Sequence, residues 1–283
     1  MIVNAILTLA ALGLLAGLGL GFAARVFAVK VDPRVEEIDA ALPQFNCGAC
    51  GYAGCADYAK AVVEGKDPGL CAPGGPNVAA RVAAIMGQEV SAQEKMVAFV
   101  FCGGSDTAAR KKYHYNGVID CISANLVSGG DKSCSYGCLG LGTCVHVCPA
   151  DAILIEDGLA RVVPELCIGC RKCVEACPKN VIHMVPASRV VHVVCSSQDK
   201  GPVVRKACQV GCIGCRRCTK AVDDEQITMD DNLAVVDYSK PLLSREPVES
   251  CPTGAIQIVE TEFTAQLPPP AETAGQAAEE AQA

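Results

Sequence analysis

The sequence predicts an α+β protein in which one membrane-spanning helix leads into several small modules held together by metal rather than by a single apolar core. Three observations predict it. Residues 5–24, AILTLAALGLLAGLGLGFAA, carry no charge. Of 283 residues 20 are cysteine, with no tryptophan and few other aromatic residues to build a core. Those cysteines fall into short-spaced groups. A chain of this length has room for two or three small domains.

The apolar run comes first. At about 1.5 Å per residue it spans a hydrocarbon core of roughly 30 Å. No charge precedes it, and Arg25, Lys30 and Arg34 follow it. A secretory signal carries its basic residues ahead of the apolar stretch, so an uncleaved anchor over residues 1–29 is expected. It would cross the inner (cytoplasmic) membrane once, with the rest of the chain on the cytoplasmic side by the positive-inside bias. Gly13, Gly17 and Gly21 recur every four residues, a spacing that lets an integral-membrane partner approach closely, although glycine is also common in such helices.

A cytoplasmic setting turns the cysteines from disulfide candidates into metal ligands. The net charge of −7 argues against a nucleic-acid partner. In residues 30–80, Cys47, Cys50, Cys55 and Cys71 read C-x2-C-x4-C-x15-C, with Gly48, Gly51 and Gly54 allowing the backbone to wrap a compact object. Ala56, Tyr58, Ala59 and Val62 predict a short helix after Cys55, ended by Gly65. The fourth sulfur therefore arrives after a helix and a turn.

Residues 81–130 open on a short apolar strand, VAFVFC, ending at Cys102. Residues 131–187 carry the most specific motif. Cys167, Cys170, Cys173 and Cys177 form a complete C-x2-C-x2-C-x3-C-P run, the iron–sulfur spacing in which three sulfurs hold one cluster and the fourth serves a second. Zinc favours two separated pairs and explains neither the third close cysteine nor Pro178. Upstream, CSYGCLGLGTCVHVCP (134–149) follows the same spacing from Cys138 through Cys144 to Cys148, but Leu141 stands where the second cysteine belongs.

The exchange of fourth ligands in two-cluster ferredoxins joins Cys148 to Cys167, Cys170 and Cys173. The reciprocal site holds Cys138, Cys144 and Cys177 with a gap at Leu141. Either Cys134 fills it and the cluster is [4Fe–4S], or a [3Fe–4S] cluster forms; Cys134 is favoured because it is close. His146, between two cysteines, is expected at the surface or in support of a ligand, since a complete thiolate set leaves it no place on iron.

Residues 188–260 repeat the design. VVHVVC ends at Cys195 as VAFVFC ends at Cys102, and CQVGCIG at 208 matches CSYGCLG at 134. Cys212, Cys215 and Cys218 form a close triplet; Val222 takes the fourth position, and Cys251 of CPTGAI is expected as a displaced fourth ligand beyond an acidic insertion around Asp223–Asp231. Four [4Fe–4S] sites follow, and a fifth arises if Cys102, Cys121, Cys195 and Cys208 share a cluster between the repeats rather than standing as buried thiols. Basic residues beside the motifs (Arg110–Lys112, Arg171 and Lys172, Arg205 and Lys206, Arg216 and Arg217) either raise cluster potentials and steer an acidic partner or form ordinary solvated surface. Residues 261–283, rich in proline, alanine and acids, are expected to be a disordered tail.

Taken in this order, the anchor, NCGACGYAGC and the two ferredoxin motifs resemble the B subunit of the Rnf complex, a membrane ferredoxin:NAD oxidoreductase that pumps Na⁺ or H⁺. The resemblance covers nearly the whole chain. It implies an N-terminal 4Fe–4S domain, ferredoxin-like modules, other Rnf subunits and soluble ferredoxin as partners, and a role in passing single electrons from ferredoxin toward membrane subunits that hold flavin and NAD. The third motif, Cys212–Cys218 with Cys251, goes beyond the plainest two-cluster members. The chain carries neither a strand-borne GxGxxG nor a phosphate loop, so it is expected to move electrons as part of a translocase and to make no bonds itself. The alternative is a membrane-tethered polyferredoxin serving a hydrogenase or another reductase without ion pumping.

Overall fold

The computed structural model describes residues 2–27, 32–88, 94–222, 225–242 and 244–259; the tail expected over 261–283 lies outside these. Helix α1, Ile2–Val26, is 25 residues long. Within it Ile6–Val26 is, among the described residues, the one segment long and apolar enough to cross a membrane. Its leucines are exposed all round, with no protein packed against them.

A three-helix unit follows. Helix α2, Pro33–Ala41, starts where the Asp32 carboxylate accepts the Arg34 N–H and Pro33 takes the first turn. Helix α3, Cys55–Val63, lies where the periodicity after Cys55 predicts it, and α4, Gly75–Met86, packs with it against α2. Ile38, Tyr58, Val62 and Val82 are the buried centre of this unit. The expected boundary between residues 80 and 81 falls inside α4, because Val82 is part of that centre.

Two similar modules come next. The first contains β1 (Met96–Val100), α5 (Cys121–Leu126), α6 (Thr143–His146), β2 (Ile153–Glu156), β3 (Leu159–Val162), α7 (Lys172–Ala176) and β4 (Ile182–Pro186). The second contains β5 (Val191–Val193), α8 (Gly201–Ala207), α9 (Arg217–Lys220), β6 (Ile227–Asp230), β7 (Leu233–Val236), α10 (Glu246–Glu249) and β8 (Ile256–Ile258). In each module the first strand pairs antiparallel with the last, Val100 opposite Ile182 and Val193 opposite Ile256. The middle strands form a hairpin, β2 with β3 and β6 with β7. The acidic stretch expected as an insertion before Cys251 is therefore corrected: it holds the hairpin of the second module.

The two copies keep a constant offset. Ile153 and Ile227, Val162 and Val236, and Ile182 and Ile256 are each 74 residues apart, as are Cys134 and Cys208, Cys138 and Cys212, and Cys177 and Cys251. Cys251 thus corresponds to Cys177. Upstream the offset changes: Cys102 precedes Cys134 by 32 residues, whereas Cys195 precedes Cys208 by 13, so the first module carries 19 extra residues in the stretch that contains α5.

Two-stranded sheets are marginal by themselves, so each module needs something between its layers. Part of it is an apolar core around Ile153, Leu159 and Ile182 in the first module and around Ile227, Leu233 and Ile256 in the second. The modules meet along their first strands. Gly103 N–H donates to the Val194 carbonyl at 2.9 Å, the Ser196 hydroxyl to the Phe101 carbonyl at 2.7 Å, and Arg110 N–H to the Ala207 carbonyl at 2.9 Å. His192 stacks on Phe99 at 4.0 Å between ring centres and shares a 2.7 Å hydrogen bond with the Tyr238 hydroxyl. Burial pushes its pKa down to about 4, so it serves the junction as a neutral core residue.

Candidate iron–sulfur centres

None of the 20 cysteines is paired in a disulfide, and the fold brings them into five neighbourhoods of four, called sets 1 to 5 here. Set 1 is Cys47, Cys50, Cys55 and Cys71, which line one cavity of about 310 Å³. Two side chains deliver its members. Asn46 Oδ1 accepts the Cys55 N–H at 2.9 Å, pinning the start of α3. The buried Tyr58 hydroxyl donates to the Asp67 carbonyl and accepts the Leu70 N–H, fixing the loop that brings in Cys71. Burial pushes the Cys71 thiol up to about 11, and the sulfurs of Cys55, Cys50 and Cys47 push the same way.

Set 2 is Cys148, Cys167, Cys170 and Cys173, which line a cavity of about 320 Å³. Burial raises Cys173 to about 12, and the other three sulfurs add to it. Backbone N–H groups face the sulfurs: Ala98 donates to Cys167 and Ala152 to Cys148, both at 3.4 Å. Such donors stabilise negative charge on sulfur.

Set 5 joins Cys212, Cys215 and Cys218 to Cys251. Cys218 is raised to about 11 by burial and then by those three neighbours. The loops of the three close motifs share one backbone. Gly140, Gly169 and Gly214 have φ of +70°, +69° and +66°, and the residues two positions on, Gly142, Arg171 and Arg216, have φ of +82°, +64° and +59° before the short helices α6, α7 and α9. Leu141 therefore sits in a loop of the same backbone shape, at the position of Cys170 and Cys215.

Cys121 belongs to the small core against which Leu141 packs. The Cys121 N–H reaches Thr143, the residue before Cys144, and burial together with the charges of Cys138, Cys121, Cys177 and Cys173 raises Cys144 to about 12; Cys121, Cys138, Cys144 and Cys177 are grouped here as set 3. Its placement is built locally. Asp120 caps α5 through the Ser123 N–H, Thr143 donates its hydroxyl to Asp120 Oδ1 at 2.6 Å, and the Cys121 N–H donates to Thr143 Oγ1 at 2.8 Å. Cys134, expected to complete this site, stands at the module junction, where it lines a cavity with Cys102, Cys195 and Cys208. The signal for Cys121 was available in the repeat: the copy that lacks the motif cysteine is the copy that carries the extra 19 residues.

Cys134 lines a cavity of about 480 Å³ together with Cys102, Cys195 and Cys208, giving set 4. Two members come from each module. A Cβ added to Gly104 would lie 3.5 Å from both Cys102 Sγ and Cys208 Sγ, and one on Gly137 would lie 3.7 Å from Cys134 Sγ and 3.8 Å from Cys102 Sγ. Bare glycine backbone thus forms the wall between the sulfurs. Gly104 N–H donates to Cys102 Sγ at 3.4 Å, and Ser197 N–H does the same for Cys195 at 3.5 Å.

The donor sets fit iron–sulfur clusters: four thiols each, amide donors at the sulfurs of sets 2 and 4, and a space among the sulfurs in sets 1, 2 and 4. Among the described residues no three His, Cys, Asp or Glu side chains are grouped to hold a single metal ion. His146 is exposed, as expected for a residue with no place on iron. The basic side chains flagged beside the motifs, Arg110, Lys111, Lys112, Arg171, Arg205, Lys206, Arg216 and Arg217, are exposed, and Lys172 partly so.

Comparison with known proteins agrees with this geometry. Residues 42–73, which span set 1, match the model of a putative Fe–S cluster domain, and residues 160–183 match that of a 4Fe–4S binding domain. The chain is 47% identical to the B subunit of the proton-translocating ferredoxin:NAD⁺ oxidoreductase complex of Clostridium ljungdahlii, over 88% of this chain and 89% of that one. It is 46% identical to the B subunit of the Na⁺-translocating ferredoxin:NAD⁺ oxidoreductase complex of Acetobacterium woodii, over 89% and 78% of the two chains. With the B subunit of the ion-translocating oxidoreductase complex of Methanosarcina acetivorans it shares 40% identity over 91% and 98%. With iron–sulfur modules behind an N-terminal apolar helix and identities of this size along nearly the whole length, the chain belongs to the family of B subunits of ion-translocating ferredoxin:NAD⁺ oxidoreductase complexes.

Proposed function

We propose that this chain is a membrane-anchored electron wire that accepts electrons from reduced ferredoxin and passes them to the membrane subunits of an Rnf complex, which couples ferredoxin:NAD⁺ oxidoreduction to Na⁺ or H⁺ translocation. One observation supports the reading: each sulfur set has a neighbour in the next. Cys47 of set 1 acts electrostatically on Cys170 of set 2, and Cys173 of set 2 on Cys144 of set 3. Cys138 of set 3 donates its N–H to Cys102 Sγ of set 4 at 3.3 Å, and Cys195 of set 4 lies beside Cys212 of set 5.

Sets 1 to 5 would each hold one [4Fe–4S] cluster, using all 20 cysteines. Bound clusters supply one-electron chemistry, with ferredoxin-type potentials of about −400 mV as the reference. The chain's own residues hold the sulfurs, aim N–H groups at them and exclude water. The N-terminal cluster unit extends through α4, α1 crosses the inner membrane once, and the modules lie in the cytoplasm. Set 1 follows the anchor in sequence and is the exit toward membrane subunits. Set 5 is the entry: Cys215 is the one exposed cysteine, and Arg216 and Arg217, next to it in the chain, are exposed for an acidic ferredoxin.

Iron and acid-labile sulfide analysis of the anaerobically purified chain tests the inventory. About twenty iron atoms per chain are expected, falling by about one to four in Cys102→Ser, as a three-iron site forms or the cluster is lost. In the assembled complex Cys102→Ser should also stop ferredoxin-dependent NAD⁺ reduction while set 5 still accepts electrons. Unchanged iron content in that variant removes set 4 from the wire.

A further inference from the structure

Lys132 was not among the basic residues that the motifs singled out, yet it is the lysine the fold buries. It is 1% exposed, and its ammonium donates to the carbonyls of Gly104 and Gly158, both at 2.7 Å. It lines the set 4 cavity, and Gly104 is the residue whose bare Cα faces Cys102 Sγ and Cys208 Sγ. Its charge acts on Cys208 of set 4 and on Cys138 of set 3. The compensating carboxylates are partial: Asp106 Oδ1 is 3.8 Å away, its side chain is 38% exposed, and its other oxygen is held by Lys111 at 2.9 Å, while Asp157, which also feels the Lys132 charge, is exposed and accepts the Thr107 hydroxyl. Asp199 also lines the cavity, but it is partly exposed and so better screened. In the second module the corresponding residue, 74 positions on, is Lys206, which points to solvent.

We propose that Lys132 is a positioning residue that raises the reduction potential of the cluster at the module junction, making set 4 an electron-holding point between the entry and exit ends of the wire. This rests on the reading that set 4 holds a cluster. A reduced cluster carries one more negative charge than an oxidised one, and a desolvated ammonium beside it favours the reduced form more strongly than a solvated one. The two carbonyls that Lys132 grips fix the direction of that charge.

EPR-monitored redox titration of the full-length, cluster-loaded protein tests this, with iron content measured on each sample. Lys132→Gln should shift the set 4 equilibrium at least tenfold toward the oxidised form, about 59 mV lower for one electron. Lys132→Arg should stay near the parent value. Asp106→Asn, which removes the partial counter-charge, should move the potential upward. A Lys132→Gln protein with full iron content and the parent potential overturns the proposal. If that variant loses iron, Asp106→Asn decides: a rise supports the proposal, and no rise overturns it. Failure of the underlying reading shows separately, as unchanged iron content in Cys102→Ser.

Discussion

The two modules have the same strand order and the same 74-residue register, yet the first gathers two sulfur sets within itself and the second only one. Where the first has Cys148, the second has Val222; where it has Cys167, Cys170 and Cys173, the second has Pro241, Ser244 and Pro247. The second module's core is completed there by Leu242, Val222 and Val248. Apolar side chains and a thiolate-bound cluster are thus alternative fillings for one framework, because each supplies what two-stranded sheets lack, a compact object to pack against. Set 3 carries the complementary lesson. The first module lacks the motif cysteine at Leu141 and carries Cys121 in an insertion beside it, while the second keeps Cys215 and has no such insertion.

If the two fillings are equivalent, the modules should fail in different ways. The largest effect is expected from extracting iron with a chelator after oxidation. Residues 96–186 should become protease-sensitive before residues 191–258, since the first module has two sets to lose and the second one; simultaneous loss would mean the second depends on its cluster just as much. Next comes Cys121→Ser, which should convert set 3 to a three-iron site with an oxidised-state EPR signal absent from the parent. Adding Leu141→Cys to that variant should remove the signal by recreating the second module's arrangement, and a signal that persists in the double variant would place the fourth sulfur elsewhere. Leu242, 5% exposed, should cost about 2–5 kcal/mol when changed to alanine, read as denaturant unfolding of the loaded chain with all iron retained. A cost below about 1 kcal/mol would mean Leu242 does not substitute for a cluster. The smallest effect is Thr143→Val, which leaves the Cys121 N–H and Asp120 without their hydroxyl partner. About 1–3 kcal/mol is expected, with a broadened set 3 signal and no change at set 5.

Much of this was legible in the residues. The span of α1, the helix after Cys55 and the apolar strands leading to Cys102 and Cys195 followed from periodicity and charge. The hairpin β6–β7 was missed because an acid-rich stretch resembles a loop when its alternation, Ile227, Met229, Leu233, is spread across a turn at Asp231 with φ of +49°. Helix α4 ran through an expected boundary because its amphipathic pattern was overshadowed by Gly74, Gly75 and Pro76 at its start.

Cysteine spacing alone was enough to dictate the chemistry, since three ligands within seven residues, as from Cys167 to Cys173, make a loop that closes on a metal cluster through local backbone geometry. Which distant sulfurs come together, and which lysine is desolvated, is decided only by the tertiary fold. Cys121 and Cys134 look alike in the chain, as do Lys132 and Lys206, and what separates them is the packing of one repeat against the other, a long-range contact that no local pattern encodes.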